Sequence, residues 1–165
     1  MDPNSIIDHI PRLRRYARAL VGDRHSADDL VQDTLERACN KFHLWRSGSD
    51  LRAWLFTVMH NVFVNQIRGA RNQVEQSMEE VPVVATRATQ SDALELVEVD
   101  RALRTLPEEQ REVLLLIAVE QMSYAEVSRA LSVPIGTVMS RLSRARERMR
   151  VAMAGGQAVS LKVVK

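Results

Sequence analysis

Apolar residues recur along this chain at intervals of three and four rather than two, which predicts helices throughout and leaves no alternating stretch to form a strand. In "SVPIGTVMSRLSRARERMR", residues 132–150, Val138, Leu142, Ala145 and Met149 fall at i, i+4, i+7 and i+11, a buried stripe on a helix from about Ile135 to Ala152. The other side of that helix is free to carry Thr137, Ser140, Arg141, Arg144 and Arg148. Earlier in the chain, "LRAWLFTVMHNVFVNQIRGARN" is apolar nearly all round from Leu51 to about Arg68, with one polar seam of Thr57, Asn61, Asn65 and Arg68. In "ADDLVQDTLERA" the acids Asp29, Asp33 and Glu36 repeat at i, i+4 and i+7, a stripe that is either solvated or docks onto a basic partner.

Capping chemistry places the helix starts. "GDRHSADDLVQDTLERA" offers Ser26 as an N-cap with Asp28 and Asp29 in the first turn, where carboxylates complement the exposed amides. Pro107, followed by Glu108 and Glu109, suits a first turn, and "SYAE" is a capping box of Ser123 and Glu126. Between the patterned blocks lies "NQVEQSMEEVPVVATRATQSDA", polar and without a sustained stripe. The expected architecture is all-α, with one small helical domain over residues 1–71, a flexible linker over 72–93, a second domain over 94–154 and a frayed tail over 155–165. Blocks of about 60 to 65 residues are marginal for independent folding, so tight helix packing or help from a partner is expected.

The capped helix from Tyr124 to Leu131, a turn within Ser132–Gly136 and a longer second helix have the proportions of a helix-turn-helix. An isolated basic face is most often just solvated. In this context the small hydroxyls near the start of the second helix permit close approach to base edges, and the arginines farther along reach guanine or phosphate.

A duplex reader needs only that second block. In the first, five of the chain's seven aromatics, Phe42, Trp45, Trp54, Phe56 and Phe63, crowd between positions 42 and 63, and Phe56 and Phe63 are expected in the core. "LWRSGSD" sets Trp45 and Arg46 beside Ser47, Gly48 and Asp50, a composition suited to stacking an unpaired base and bonding its edge.

Composition narrows the classes. With 45% hydrophobic and 27% charged residues the 165-residue chain is of the soluble globular kind, and its net charge of +2 hides local patches. The single cysteine, Cys39, permits no intramolecular disulfide and is read as a small apolar helix residue. His60 is read as a satisfied core histidine, and His9, His25 and His43 have no metal spacing with each other or with Cys39. No apolar run approaches a membrane span and the start lacks a signal core, so a cytoplasmic location without membrane insertion is expected. No metal, cofactor or catalytic residue is expected.

The stretches "ADDLVQDTLERA", "DLRAWLFTVMHNVFVNQIR" and "LPEEQREVLLLIAVEQMSYAEVSRALSVPIGTVMSRLSRARERM", in that order and separation, resemble bacterial RNA polymerase sigma factors of the sigma-70 family, in the extracytoplasmic function (ECF) group. The resemblance implies sigma-2 and helix-turn-helix sigma-4 domains, no enzymatic activity, and a role in promoter recognition and transcription initiation for a stress or envelope response. It implies core RNA polymerase (β′ clamp helices and β flap), promoter DNA and an anti-sigma factor as partners. Asp29, Leu30, Gln32, Asp33 and Glu36 would meet polymerase. Trp45, Arg46, Ser47, Gly48, Asp50, Asn61, Asn65 and Arg68 would hold the −10 element. Thr137, Met139, Ser140, Arg141, Ser143, Arg144 and Arg148 would read the −35 duplex. Met139 stands where many relatives carry arginine, and Ser143 is smaller than the side chains of some, so no −35 preference is borrowed.

Two other readings compete. A helix-turn-helix regulator would bind duplex DNA without polymerase, with the first block as sensor or dimerisation domain. A small magnesium-dependent lipid-type enzyme would use "DDLVQD", but the chain has no second acidic motif of that kind.

Overall fold

The computed structural model describes residues 4–45, 49–76 and 91–163. Among these no strand occurs, and the chain is all-α: α1 (Asn4–Ile7), α2 (Ile10–Val21), α3 (Arg24–Asn40), a 3₁₀ turn at Phe42–Leu44, α4 (Leu51–Gln76), α5 (Ser91–Arg104), α6 (Glu108–Ala118), α7 (Tyr124–Leu131) and α8 (Ile135–Val163). The packing resolves into two units, the first built on α1–α4 with Arg129–Ser132 and the second on α5, α6, the rest of α7 and α8.

In the first unit α3 packs against both α2 and α4. The α2–α3 connection is two residues long. Gly22, at φ 82°, takes the left-handed conformation that closes α2 and donates its N–H to the Arg18 carbonyl at 2.9 Å. Asp23 then caps α3, its carboxylate accepting the Ser26 amide at 3.1 Å and the Ser26 hydroxyl at 2.8 Å. Ser26 is therefore not the N-cap the sequence suggested. The helix begins three residues earlier, because Asp23 already sits in an extended conformation (φ −109°, ψ 129°) and presents the longer acceptor. Leu13, Leu20, Leu30, Leu55, Phe56 and Met59 are fully buried between the three helices. The Tyr16 ring meets Phe56 edge-on at 5.0 Å, a favoured aromatic geometry. Thr34 is also fully buried, which is tolerated because its hydroxyl donates to the Leu30 carbonyl at 2.7 Å.

In the second unit α8 packs on α5 and α6 around Leu106, Val113, Leu116, Val127, Val138 and Leu142. Arg111, only 9% exposed, is held by donating Nε to the Leu103 carbonyl and Nη2 to the Leu106 carbonyl, both at 2.8 Å. Those carbonyls lie at the end of α5 and in its turn; the Leu103 oxygen also accepts the Leu106 amide at 3.1 Å. Burial pulls the Arg111 guanidinium below its ordinary pKa, with the nearby Arg104 acting in the same direction.

Three expectations about extent need correction. α4 runs to Gln76 rather than to about Arg68, and α8 continues to Val163, through the tail expected to fray. The polar segment read as a linker is helical at both edges, up to Gln76 and again from Ser91, and the remainder of it lies outside the described residues. Cys39 lies in the last turn of α3 as a helix residue and is exposed.

Candidate nucleic-acid and polymerase interfaces

α7 opens with the reciprocal bonds of a capping box. The Ser123 hydroxyl accepts the Glu126 amide at 3.1 Å, and the Glu126 carboxylate accepts the Ser123 amide at 3.0 Å. It closes with Ser132 at φ 55°, the Val133 amide reaching back to the Ser128 carbonyl at 3.1 Å and the Ser128 hydroxyl donating to the Val133 carbonyl at 2.6 Å. A non-glycine residue in this conformation fixes the turn at the cost of local strain.

α8 leaves that turn with Val138, Leu142 and Ala145 buried and Met149 half-buried, the stripe read from the sequence. Ser140, Ser143, Arg144 and Arg148 are exposed, and Met139 is 48% exposed. Thr137 is half-buried. Arg141 differs from the expectation of a free arginine: it is half-buried and its Nη2 lies 3.8 Å from the Glu109 carboxylate on α6. Part of its charge is thereby committed within the unit. Farther along, the Arg150 Nη2 donates to Glu147 Oε1 at 2.6 Å and its Nε to Oε2 at 3.0 Å. This fork holds the Glu147 carboxyl below its usual range and raises the Arg150 guanidinium.

In the first unit the acidic stripe is on the surface, with Asp29, Gln32, Asp33 and Glu36 all exposed. Leu30, grouped with them by resemblance, is 0% exposed. It faces α2 and α4 at the centre of the unit, so it cannot touch a partner and instead holds α3 in place. Asp29 lies 3.6 Å from His25 one turn earlier, and Asp33 accepts the side-chain amide of Gln66 at 2.8 Å. Between α3 and α4 a groove of about 510 Å³ is lined by Asp33, Glu36, Arg37, Lys41, Asn65 and Gln66 among others. Sequence reading missed Gln66 and Lys41, because their relation to the stripe is made only by packing.

Asn61, Asn65 and Arg68 are exposed along α4, and Thr57 is half-buried, its hydroxyl donating to the Ala53 carbonyl at 3.0 Å. Asp50 caps α4 by accepting the Arg52 amide at 3.0 Å. Trp45 is half-buried and stacks on Phe42 at 5.6 Å, with Trp54 edge-on to Phe42 at 6.5 Å. Its indole is thus part of an aromatic cluster. Arg46, Ser47 and Gly48 lie outside the described residues. Phe56 and Phe63 are in the core as expected, while His60 is half-buried. No helix among the described residues is long and apolar enough to cross a membrane.

Residues 6–60 match the family described as the Sigma2 domain of PhyR, and residues 96–149 match Sigma-70, region 4. The chain is 36% identical over 147 residues to the ECF RNA polymerase sigma factor EcfG of Rhodopseudomonas palustris, covering 88% of this chain and 81% of the relative. The solved structure of the sigma factor RpoE in complex with the anti-sigma factor NepR from Bartonella quintana is similar with a TM-score of 0.83 and 36% identity, covering 92% and 95% of the two chains. CnrH, solved in complex with the cytosolic domain of CnrY, is similar with a TM-score of 0.68 and 25% identity, covering 92% and 86%. These relatives favour promoter-directed transcription over a stand-alone helix-turn-helix regulator. With two helical units, a capped helix-turn-helix and likeness along most of its length, the chain belongs to the ECF RNA polymerase sigma factor family.

Proposed function

We propose that this sigma factor acts in the cytoplasm as a non-catalytic specificity subunit, bringing core RNA polymerase to a set of promoters. The exposed face of Asp29, Gln32, Asp33 and Glu36 docks on the basic β′ clamp helices, and the second unit docks on the β flap. Trp45, Arg46, Ser47, Gly48, Asp50, Asn61, Asn65 and Arg68 hold a base of the −10 element extruded from the non-template strand. Asp50 does so while capping α4, and the Trp45–Phe42 stack supplies a rigid wall. Thr137, Met139, Ser140, Ser143, Arg144 and Arg148 face the −35 major groove, with Arg141 contributing the charge its Glu109 contact leaves.

The observation that carries this reading is the turn at Ser132, followed by a helix that exposes the short hydroxyls Ser140 and Ser143 and the arginines Arg144 and Arg148. Neither small unit needs high affinity alone. Polymerase holds both on one surface, so binding of the second element becomes effectively intramolecular. Unpairing costs a few kcal/mol, and capture of one extruded base offsets part of it.

Control by an anti-sigma factor is part of the proposal, supported by the NepR complex of the RpoE relative. Such a partner would mask the polymerase-facing acids. Permanganate footprinting with purified core enzyme tests the main reading. Reactive thymines near −10 are expected only when both core and this chain are present, and tight operator binding without core would replace the sigma reading with the stand-alone regulator.

A further inference from the structure

Met139 leaves 48% of its surface exposed on α8, with Ile135 one turn earlier and Ser143 one turn later also exposed. It lines a groove of about 430 Å³ together with Tyr124 from the first turn of α7, Leu142, Ser143 and Arg146. The remaining lining residues, Glu147 and Arg150, are bonded to each other through both carboxylate oxygens, so each offsets the other's charge. The groove therefore has an apolar centre, a hydroxyl margin and one guanidinium beside it.

In the major groove the apolar group that base edges present is the C5-methyl of thymine. A long cationic side chain at this position would reach a phosphate and carry no sequence information. A thioether cannot make that contact, but it is flexible and polarisable enough to close over a methyl group. In a helix-turn-helix the first helix crosses the DNA backbone, so Tyr124 at the start of α7 would stand on the backbone side of this groove.

We propose, resting on the reading of α8 as the −35 helix, that this groove seats the C5-methyl of one thymine of the −35 duplex against Met139, making Met139 a specificity-determining residue. The protein then selects thymine at that step by contact and desolvation rather than by an ion pair.

The test uses holoenzyme reconstituted from core RNA polymerase and the full chain. Promoters are selected from a random library, and each thymine of the selected −35 duplex is replaced singly by uracil, which lacks only the methyl. One replacement is expected to weaken binding about fourfold, the worth of one buried methyl-sized group. Met139→Ala is expected to weaken the thymine duplex by a similar factor and to erase the thymine–uracil difference. A selected −35 element without thymine overturns the methyl contact, as does a set of silent uracil substitutions while Arg144→Ala still weakens promoter binding; both leave the −35 reading of α8 standing. Silence of Arg144→Ala as well removes that reading, and the methyl contact with it. A thymine–uracil difference that survives in Met139→Ala assigns the methyl to another side chain. If Met139→Ala instead weakens only an anti-sigma complex, the groove belongs to a protein partner and the proposal fails.

Discussion

The side-chain amide of Gln66 donates to the carboxylate of Asp33 at 2.8 Å, tying α4 to the acidic face of α3 across 33 positions of sequence. Both residues line the groove between α3 and α4. Asp33→Asn keeps an acceptor for Gln66 while removing the charge. Its melting temperature is expected to stay within a few degrees of the parent, because an exposed bond of this kind contributes about 1 kcal/mol or less. Its affinity for core polymerase is expected to fall, with the loss largest at low salt. Titration of labelled chain with core enzyme at several salt concentrations measures this, and unchanged affinity throughout would remove Asp33 from the docking surface.

Ser132 holds the turn between α7 and α8 at φ 55°, where a β-carbon is strained. Ser132→Gly is expected to stabilise the chain by roughly 0.5–1 kcal/mol, the relief of strain being partly offset by greater freedom in the unfolded state. Urea unfolding reads the change. A destabilised variant would show that the serine side chain contributes more to the turn than its conformation costs.

Arg111 is buried with two carbonyl acceptors, Leu103 and Leu106. Arg111→Ala removes two charge-assisted bonds and leaves both oxygens without that donor, so a loss of about 3 kcal/mol is expected. Arg111→Lys, which cannot span both acceptors with a planar fork, is expected to recover less than half of it. Equal stability of the alanine variant by chemical denaturation would mean that the Leu106 amide and water satisfy the two carbonyls.

The Asp23 carboxyl lies below its ordinary pKa, first because the Ser26 hydroxyl donates to it and then because the Ser26 amide does. A depressed folded-state value means the cap stabilises α3 above the pKa of an unfolded aspartate and that this contribution is lost as pH falls through the lower, folded value. Carbon-detected NMR titration is expected to show Asp23 protonating at lower pH than a free carboxylate, and Ser26→Ala is expected to move it upward. An Asp23 that titrates identically in both proteins would contradict the assigned cap.

Several features that depend on neighbours within about four residues were legible in the chain itself. The Ser123–Glu126 box, the acids after Pro107 and the Val138–Leu142–Ala145 stripe are set by helix pitch and by amides that always lack partners at a helix start. The same locality explains the miss at Ser26: two adequate caps stood three residues apart, and the left-handed Gly22 decided between them by turning the chain just before Asp23. Tertiary structure alone decided the rest. Leu30 is sealed in the core while its neighbours Asp29, Asp33 and Glu36 are exposed, because α2 and α4 cover one side of α3 only. Arg141 leans on Glu109, Gln66 on Asp33 and Trp45 on Phe42. The first two contacts join side chains more than thirty positions apart and the third depends on how the chain folds after α3, so helical periodicity contains none of them. Periodicity records which side of a helix is apolar, and only packing determines what that side meets.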